Sequence, residues 1–167
     1  MKQVIASLLV VSLLWSPLAE AAVRGKSAKY TGGTVAQFKE AVNGKWDLED
    51  AALVFTPKKK EWGALNIPYD KIDSLEFGQK IGRRVGGALA GALIVSPVFL
   101  LLLFSKKKKH FLTIGYKDAE GKAQGAVFEL SKGIVHESLT LLETKSGKKV
   151  EYESDEARKH VEKEKKK

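Results

Sequence analysis

Apolar and polar residues alternate in short runs along most of the chain, and this period of two predicts strands rather than helices. "GKWDLEDAALVFTP" alternates at Trp46 and Leu48, turns at Glu49-Asp50, and alternates again at Leu53 and Phe55 before Pro57, which predicts a hairpin. "HFLTIGYKDAEGKAQGAVFEL" predicts a second one. Leu112, Ile114 and Tyr116 share one face, Ala126, Phe128 and Leu130 another, and "DAEGK" supplies turn residues with a glycine for positive φ. In "ALNIPYDKIDSLEFG", Ile67, Tyr69, Ile72 and Leu75 are spaced as in one strand that bulges or bends after Tyr69. The Gly-Gly pair in "KYTGGTVAQF" suits a short first strand, with structure starting near Lys29, although "VAQFKEAV" alone is compatible with a helix. Val135, Leu139 and Leu142 fall at i, i+4 and i+7, which predicts a helix of about three turns ending near Gly147. Residues 154–167 read as a charged, solvated tail.

Two stretches break the alternation. Lys2, the apolar run Val4 to Trp15, and Ala19-Glu20-Ala21 follow the order of a secretory signal peptide over residues 1–21, with 22–28 as a polar leader. The other reading of this stretch is an uncleaved anchor, for which the apolar run is short. The twenty residues Val85 to Phe104 carry no charge, and only Ser96 and Pro97 interrupt a run of glycine and apolar residues that includes Leu89, Leu93 and Leu101. About twenty such residues is the length of helix that crosses a bilayer core. A core helix of a soluble domain normally keeps a polar face, which this run lacks.

Charge shapes how that insert meets a membrane. Arg83 and Arg84 precede it and Lys106, Lys107, Lys108 and Lys109 follow it, so both flanks are basic. A simple crossing prefers the positive cluster on one side. If the strands on either side pair, a shallow helical hairpin bending at Ser96-Pro97 fits better, with the six basic residues at anionic headgroups. Gly82 with Gly86, and Gly87 with Gly91, form G-x-x-x-G spacings that allow close helix packing, although a Gly/Ala-rich run also produces them by chance. The formal charge of +9 fits an anionic partner, and export favours a membrane lipid over nucleic acid. The absence of cysteine excludes disulfides and thiolate metal sites.

The sequence offers little reaction chemistry. His110, His136 and His160 are the three histidines, and His136-Glu137 has Thr140 where a zinc-protease helix needs its second histidine. Gly25-Lys26-Ser27 resembles the end of a phosphate loop that lacks its first glycine. Ser105/Lys108 and Ser146/Lys149 have Ser-x-x-Lys spacing without the accompanying motifs. Asp70, Asp73 and Glu76 read as a solvated edge, and Trp46 as core more than as a lipid-interface anchor. No cofactor or metal is expected.

The order "GKWDLEDAALVF", "IPYDKIDSLEFG", an apolar insert, "KKKKHFLTIGYKDAEGKAQGAVFELSK" and a closing helix before "SGKKVEY" resembles bacterial pleckstrin-homology-like or GRAM-like domains over Lys29 to Glu153. The resemblance implies a mainly β fold, a small antiparallel barrel of about seven strands capped by a helix at Ile134–Glu143. Related eukaryotic domains bind phosphoinositide headgroups through a basic loop, and no such motif carries over here. The expectation is an exported, non-catalytic binding or scaffold module at the periplasmic face of the inner membrane. The alternatives are an exported cell-envelope enzyme and a membrane protein that self-associates through the glycines.

Overall fold

The computed structural model describes residues 23–78 and 109–164. Eight strands form one sheet: β1 (Lys26–Gly33), β2 (Val42–Leu48), β3 (Ala52–Pro57), β4 (Leu65–Pro68), β5 (Ile72–Gly78), β6 (Phe111–Lys117), β7 (Ala123–Leu130) and β8 (Val150–Tyr152). Helix α1 (Val135–Ser146) follows β7, and α2 (Asp155–Glu164) follows β8. The sheet order is β4-β3-β2-β1-β7-β6-β5-β8, antiparallel except where β8 runs parallel to β5.

Both predicted hairpins form. Trp46 pairs with Phe55 and Leu48 with Leu53, and the Glu49 N–H donates to the Ala52 carbonyl at 3.0 Å to close the turn. In the second hairpin Leu112 pairs with Phe128 and Ile114 with Ala126, so the two predicted sets of side chains lie on one face.

The single bent strand expected through Tyr69 is two strands. Pro68 ends β4, a 3-10 turn covers Tyr69–Lys71, and β5 begins at Ile72. This short link dictates the shape. β4 and β5 stand six places apart in the sheet order, which in a flat sheet would separate them by about 29 Å. The few residues between Pro68 and Ile72 reach about 14 Å at most. The sheet must therefore curl until its two ends approach. β4 has a ladder only with β3, so the curled sheet is not closed.

The concave side holds the core. Tyr30, Phe38, Trp46, Phe55 and Phe128 form one aromatic cluster, with Tyr30–Phe38 centroids 4.8 Å apart and Trp46–Phe128 centroids 5.0 Å apart, both edge-on. α1 lies against β2 and the Tyr69–Lys71 turn and adds Val135, Leu139 and Leu142 to the cluster. It ends at Gly147, whose φ of 68° lets its N–H reach the Glu143 carbonyl at 2.9 Å. Across this packing the Trp46 indole Nε1–H donates to the Ser138 hydroxyl at 3.2 Å, and both residues are fully buried. Strands β1, β6 and β7 are also buried on their outer side. Phe111, Thr113 and Val127 turn away from the main cluster, yet are only 3%, 5% and 0% exposed.

Two boundaries differ from expectation. The leader over 22–28 already belongs to the fold: Val23 is buried, its carbonyl accepts from the Leu48 N–H at 2.8 Å, and β1 starts at Lys26. The charged tail is not solvated throughout. Its Ala157 and Val161, at i and i+4 of α2, are buried in the core cluster, and the Arg158 guanidinium lies 5.4 Å from the Tyr152 ring. A charged composition hid one narrow apolar stripe. The signal segment, the insert at Val85, Leu89, Leu93, Pro97, Leu101 and Phe104, and Gly82, Gly86, Gly87 and Gly91 lie outside the described residues. Among the described residues no helix is long and apolar enough to cross a membrane.

Ser138→Ala should leave a buried indole N–H without an acceptor, which costs about 1–3 kcal/mol. Urea unfolding followed by tryptophan fluorescence would show the midpoint fall. An unchanged midpoint would mean that the bond contributes nothing net.

Candidate functional site

The curl leaves a cleft of about 540 Å³ where the two ends of the sheet fail to join. One wall is the chain after β1, from Thr34 to Gln37, and a second is β4 with Leu65, Asn66 and Pro68, continuing to Lys71. The third wall is the β6–β7 hairpin, with Tyr116 to Ala119 and Gln124. These residues come from six strands or connections, and only the rolled sheet brings them together.

A polar network fixes two of these walls to each other. The Asp118 carboxylate accepts from the backbone N–H groups of Glu120 at 3.0 Å and Lys122 at 2.9 Å, and from Gln124 Nε2 at 2.8 Å. The Gln124 amide, followed by those backbone N–H groups, holds the Asp118 pKa below the usual carboxylate range. The Thr34 hydroxyl donates to Gln124 Oε1 and accepts from the Gly125 N–H at 2.9 Å, and the Thr34 N–H donates to the Gly125 carbonyl at 2.8 Å. Gly33 makes this approach possible. Its φ is 144°, and a Cβ there would lie 2.1 Å from the Gly125 carbonyl oxygen.

Behind the cleft stand two phenols. Burial, and then the nearby Asp118 charge, push the Tyr116 pKa up to about 12. Tyr30 is 1% exposed and its hydroxyl has no hydrogen bond of good geometry. Burial, followed by the Tyr116 neighbour, raises its pKa, and the Val35 backbone opposes this weakly. Both are neutral donors at any physiological pH. On the rim, Lys71 makes a loose exposed pair with Asp70 at 3.5 Å, and Lys117 forms no ion pair among the described residues.

Of the six basic residues expected at lipid headgroups, Arg83, Arg84, Lys106, Lys107 and Lys108 lie outside the described residues. Lys109 is described, and its Nζ is 2.8 Å from Glu129 Oε2 with both side chains 25% exposed. Part of its charge is thus already neutralised within the sheet. His110 stacks on Phe77 with centroids 6.2 Å apart, and His136 stands in the first turn of α1. No group of three histidines and carboxylates able to hold a metal occurs among the described residues. Ser146 donates its hydroxyl to the Leu142 carbonyl at 2.6 Å and accepts from the Lys148 N–H at 3.2 Å, as a helix-end residue does. Glu40 and Lys59 form an ion pair on the surface, with the Lys59 ammonium 4.6 Å from the Trp62 ring centre. The Lys59 hydrogen bond is the main cause of a lowered Glu40 pKa.

Thr34, Gln124, Lys71 and Tyr116 belong to no motif that marks them as site residues in the sequence. No motif links positions some ninety residues apart. The available signals were indirect: the Gly32-Gly33 pair, where Gly33 allows a close backbone approach, and the "DAEGK" turn, where Gly121 takes a positive φ.

The phenol at Tyr116 sets an alkaline limit on stability. The unfolded chain releases this proton above pH 10 while the folded chain keeps it to about pH 12. Its contribution is therefore whole at neutral pH and lost as pH rises through this window. Relative to pH 8, Tyr116→Phe should retain about 1 kcal/mol more stability than wild type at pH 11. Equal alkaline losses in urea titrations of the two proteins would contradict this assignment.

No protein-family model matches the chain, and no curated protein matches it by sequence.

Proposed function

We propose that the protein is a non-catalytic, exported binding module of pleckstrin-homology-like type, held at the periplasmic face of a membrane by its apolar insert. One observation supports the shallow form of that attachment. Gly78 and Phe111, which flank residues 79–108, are ladder partners on adjacent antiparallel strands. Such partners lie about 5 Å apart, so a single crossing of a ~30 Å bilayer core between them is incompatible with the β5–β6 ladder. Two crossings need about 40 apolar residues, and the uncharged run has twenty. The remaining membrane geometry is a shallow loop that enters and leaves on one side. Basic residues on both flanks suit that geometry, because both flanks then meet the same headgroups.

The barrel reading draws support from the strand sequence. Seven consecutive antiparallel strands, β1 to β7, followed by a helix laid on the concave side are in keeping with the strand number and capping helix that the resemblance implies. β8 and α2 are additions to it. The binding role draws on the cleft, which is concave, mainly apolar and rimmed by a few polar groups, within the ~300–1,000 Å³ range of small-molecule sites.

A second reading is favoured by the buried outer side of β1, β6 and β7. There the insert's apolar residues cover Phe111, Thr113 and Val127 instead of entering lipid, and the chain needs no membrane.

Since the chain has no cysteine, Gln79→Cys and Lys107→Cys give clean single labels. The attachment reading expects alkaline carbonate to leave the protein in the membrane pellet, with both cysteines modified from one side by a membrane-impermeant maleimide. Labelling from opposite sides would exclude the shallow loop. Complete release by carbonate would select the second reading.

A further inference from the structure

The strand ends that flank residues 79–108 and the cleft lie at opposite ends of β6. β6 begins at Phe111 beside Gly78 and finishes at Lys117 on the cleft wall, and its seven residues span about 20 Å. With the insert end at a membrane, the cleft opens toward the aqueous compartment. Its occupant then arrives from solution.

The chemistry of the walls narrows that occupant. Val35, Leu65, Pro68 and Ala119 offer an apolar bed, and Lys71 and Lys117 supply two cations. The lining carboxylate, Asp118, has its oxygens committed to Gln124 and to two backbone N–H groups, which keep it ionised, and the two lysines outnumber it. Tyr116 is a neutral phenol and does not repel an anion. The lining does not suit a highly charged phosphate ester, for which a cradle of backbone N–H groups is the usual device.

We propose that this cleft binds a small organic anion with an apolar body, a carboxylate of arylalkyl or short acyl type, with its charge at Lys71 and Lys117 and its body against Val35, Leu65 and Pro68. The assignment rests on the binding-module reading above and adds to it the ligand class and the direction of approach.

The test is isothermal titration of the full chain in lipid nanodiscs with 4-phenylbutyrate, 4-phenylbutanol and inorganic phosphate, after subtraction of protein-free discs. The expected result is saturable 1:1 binding of phenylbutyrate, roughly tenfold or more weaker binding of the alcohol, about 1.4 kcal/mol, and none of phosphate. The double variant Lys71→Gln/Lys117→Gln should lower phenylbutyrate affinity to that of the alcohol. Ala119→Glu, at an exposed lining position, should abolish phenylbutyrate binding by charge repulsion. Unchanged near-ultraviolet circular dichroism from the buried Trp46 would certify that each variant is folded. Absence of saturable binding, equal affinity for acid and alcohol, or indifference to the lysine variant would each overturn the proposal. Carbonate extraction of the same variants separates the two readings. Attachment without phenylbutyrate binding overturns the ligand assignment alone, and binding without attachment overturns the membrane reading alone.

Discussion

Between Pro68 and Ile72 the chain has only a single 3-10 turn in which to pass from one edge of an eight-stranded sheet to a strand near the other. Most of the architecture follows from this restriction. A flat sheet would leave the link far too short, so the sheet curls, and curling gives it a concave side on which the aromatic cluster can collect. Tyr69 at the link is itself buried, and its hydroxyl donates to the Glu49 carbonyl at 2.8 Å, which ties the link back to the β2–β3 turn. α1 then rests on the same turn and on β2. The link brings β4 and β5 close without letting them pair, and the unpaired gap is where the cleft lies.

Elements governed by local pattern were readable in the sequence, and those governed by tertiary encounters were not. The hairpin at Asp118–Lys122 announces itself through an aspartate that accepts from N–H groups two and four residues on and a glycine with φ of 78°. The α1 boundaries follow from Val135, Leu139, Leu142 and Gly147 for equally local reasons. By contrast β8 is three residues long, and nothing in "VEY" distinguishes it from loop until it meets β5. α2 was misread because charged residues surround its two buried ones, and two apolar contacts suffice where a core already exists. Between Ile67 and Leu75 the spacing was right, but a 3-10 turn and a bulge give the same spacing, and only the pairing partners tell them apart.

The candidate site was less legible than the fold. The residues chosen in sequence as headgroup contacts cluster around the insert because charge runs are conspicuous. The cleft residues are short, inconspicuous stretches scattered over four places in the sequence. Thr34 and Gln124 reach each other only because β1 pairs with β7 and Gly33 lets the two backbones touch. Lys109 shows the converse. As the last of four consecutive lysines it looks like one more solvent cation, and in the sheet it is paired with Glu129.

The β1–β7 ladder has a temporal meaning as well. Tyr30 aligns with Phe128, nearly a hundred positions later, so the first strand to leave a ribosome or a translocation channel waits for almost the last before its second neighbour exists. Until then Trp46, Phe55 and the rest of the first meander lack the β7 side chains, Phe128 above all, that bury them in the finished core. Closing so long a loop is entropically slow, and such topologies fold late. Under the export proposed above, this delay would keep the chain threadable during its passage.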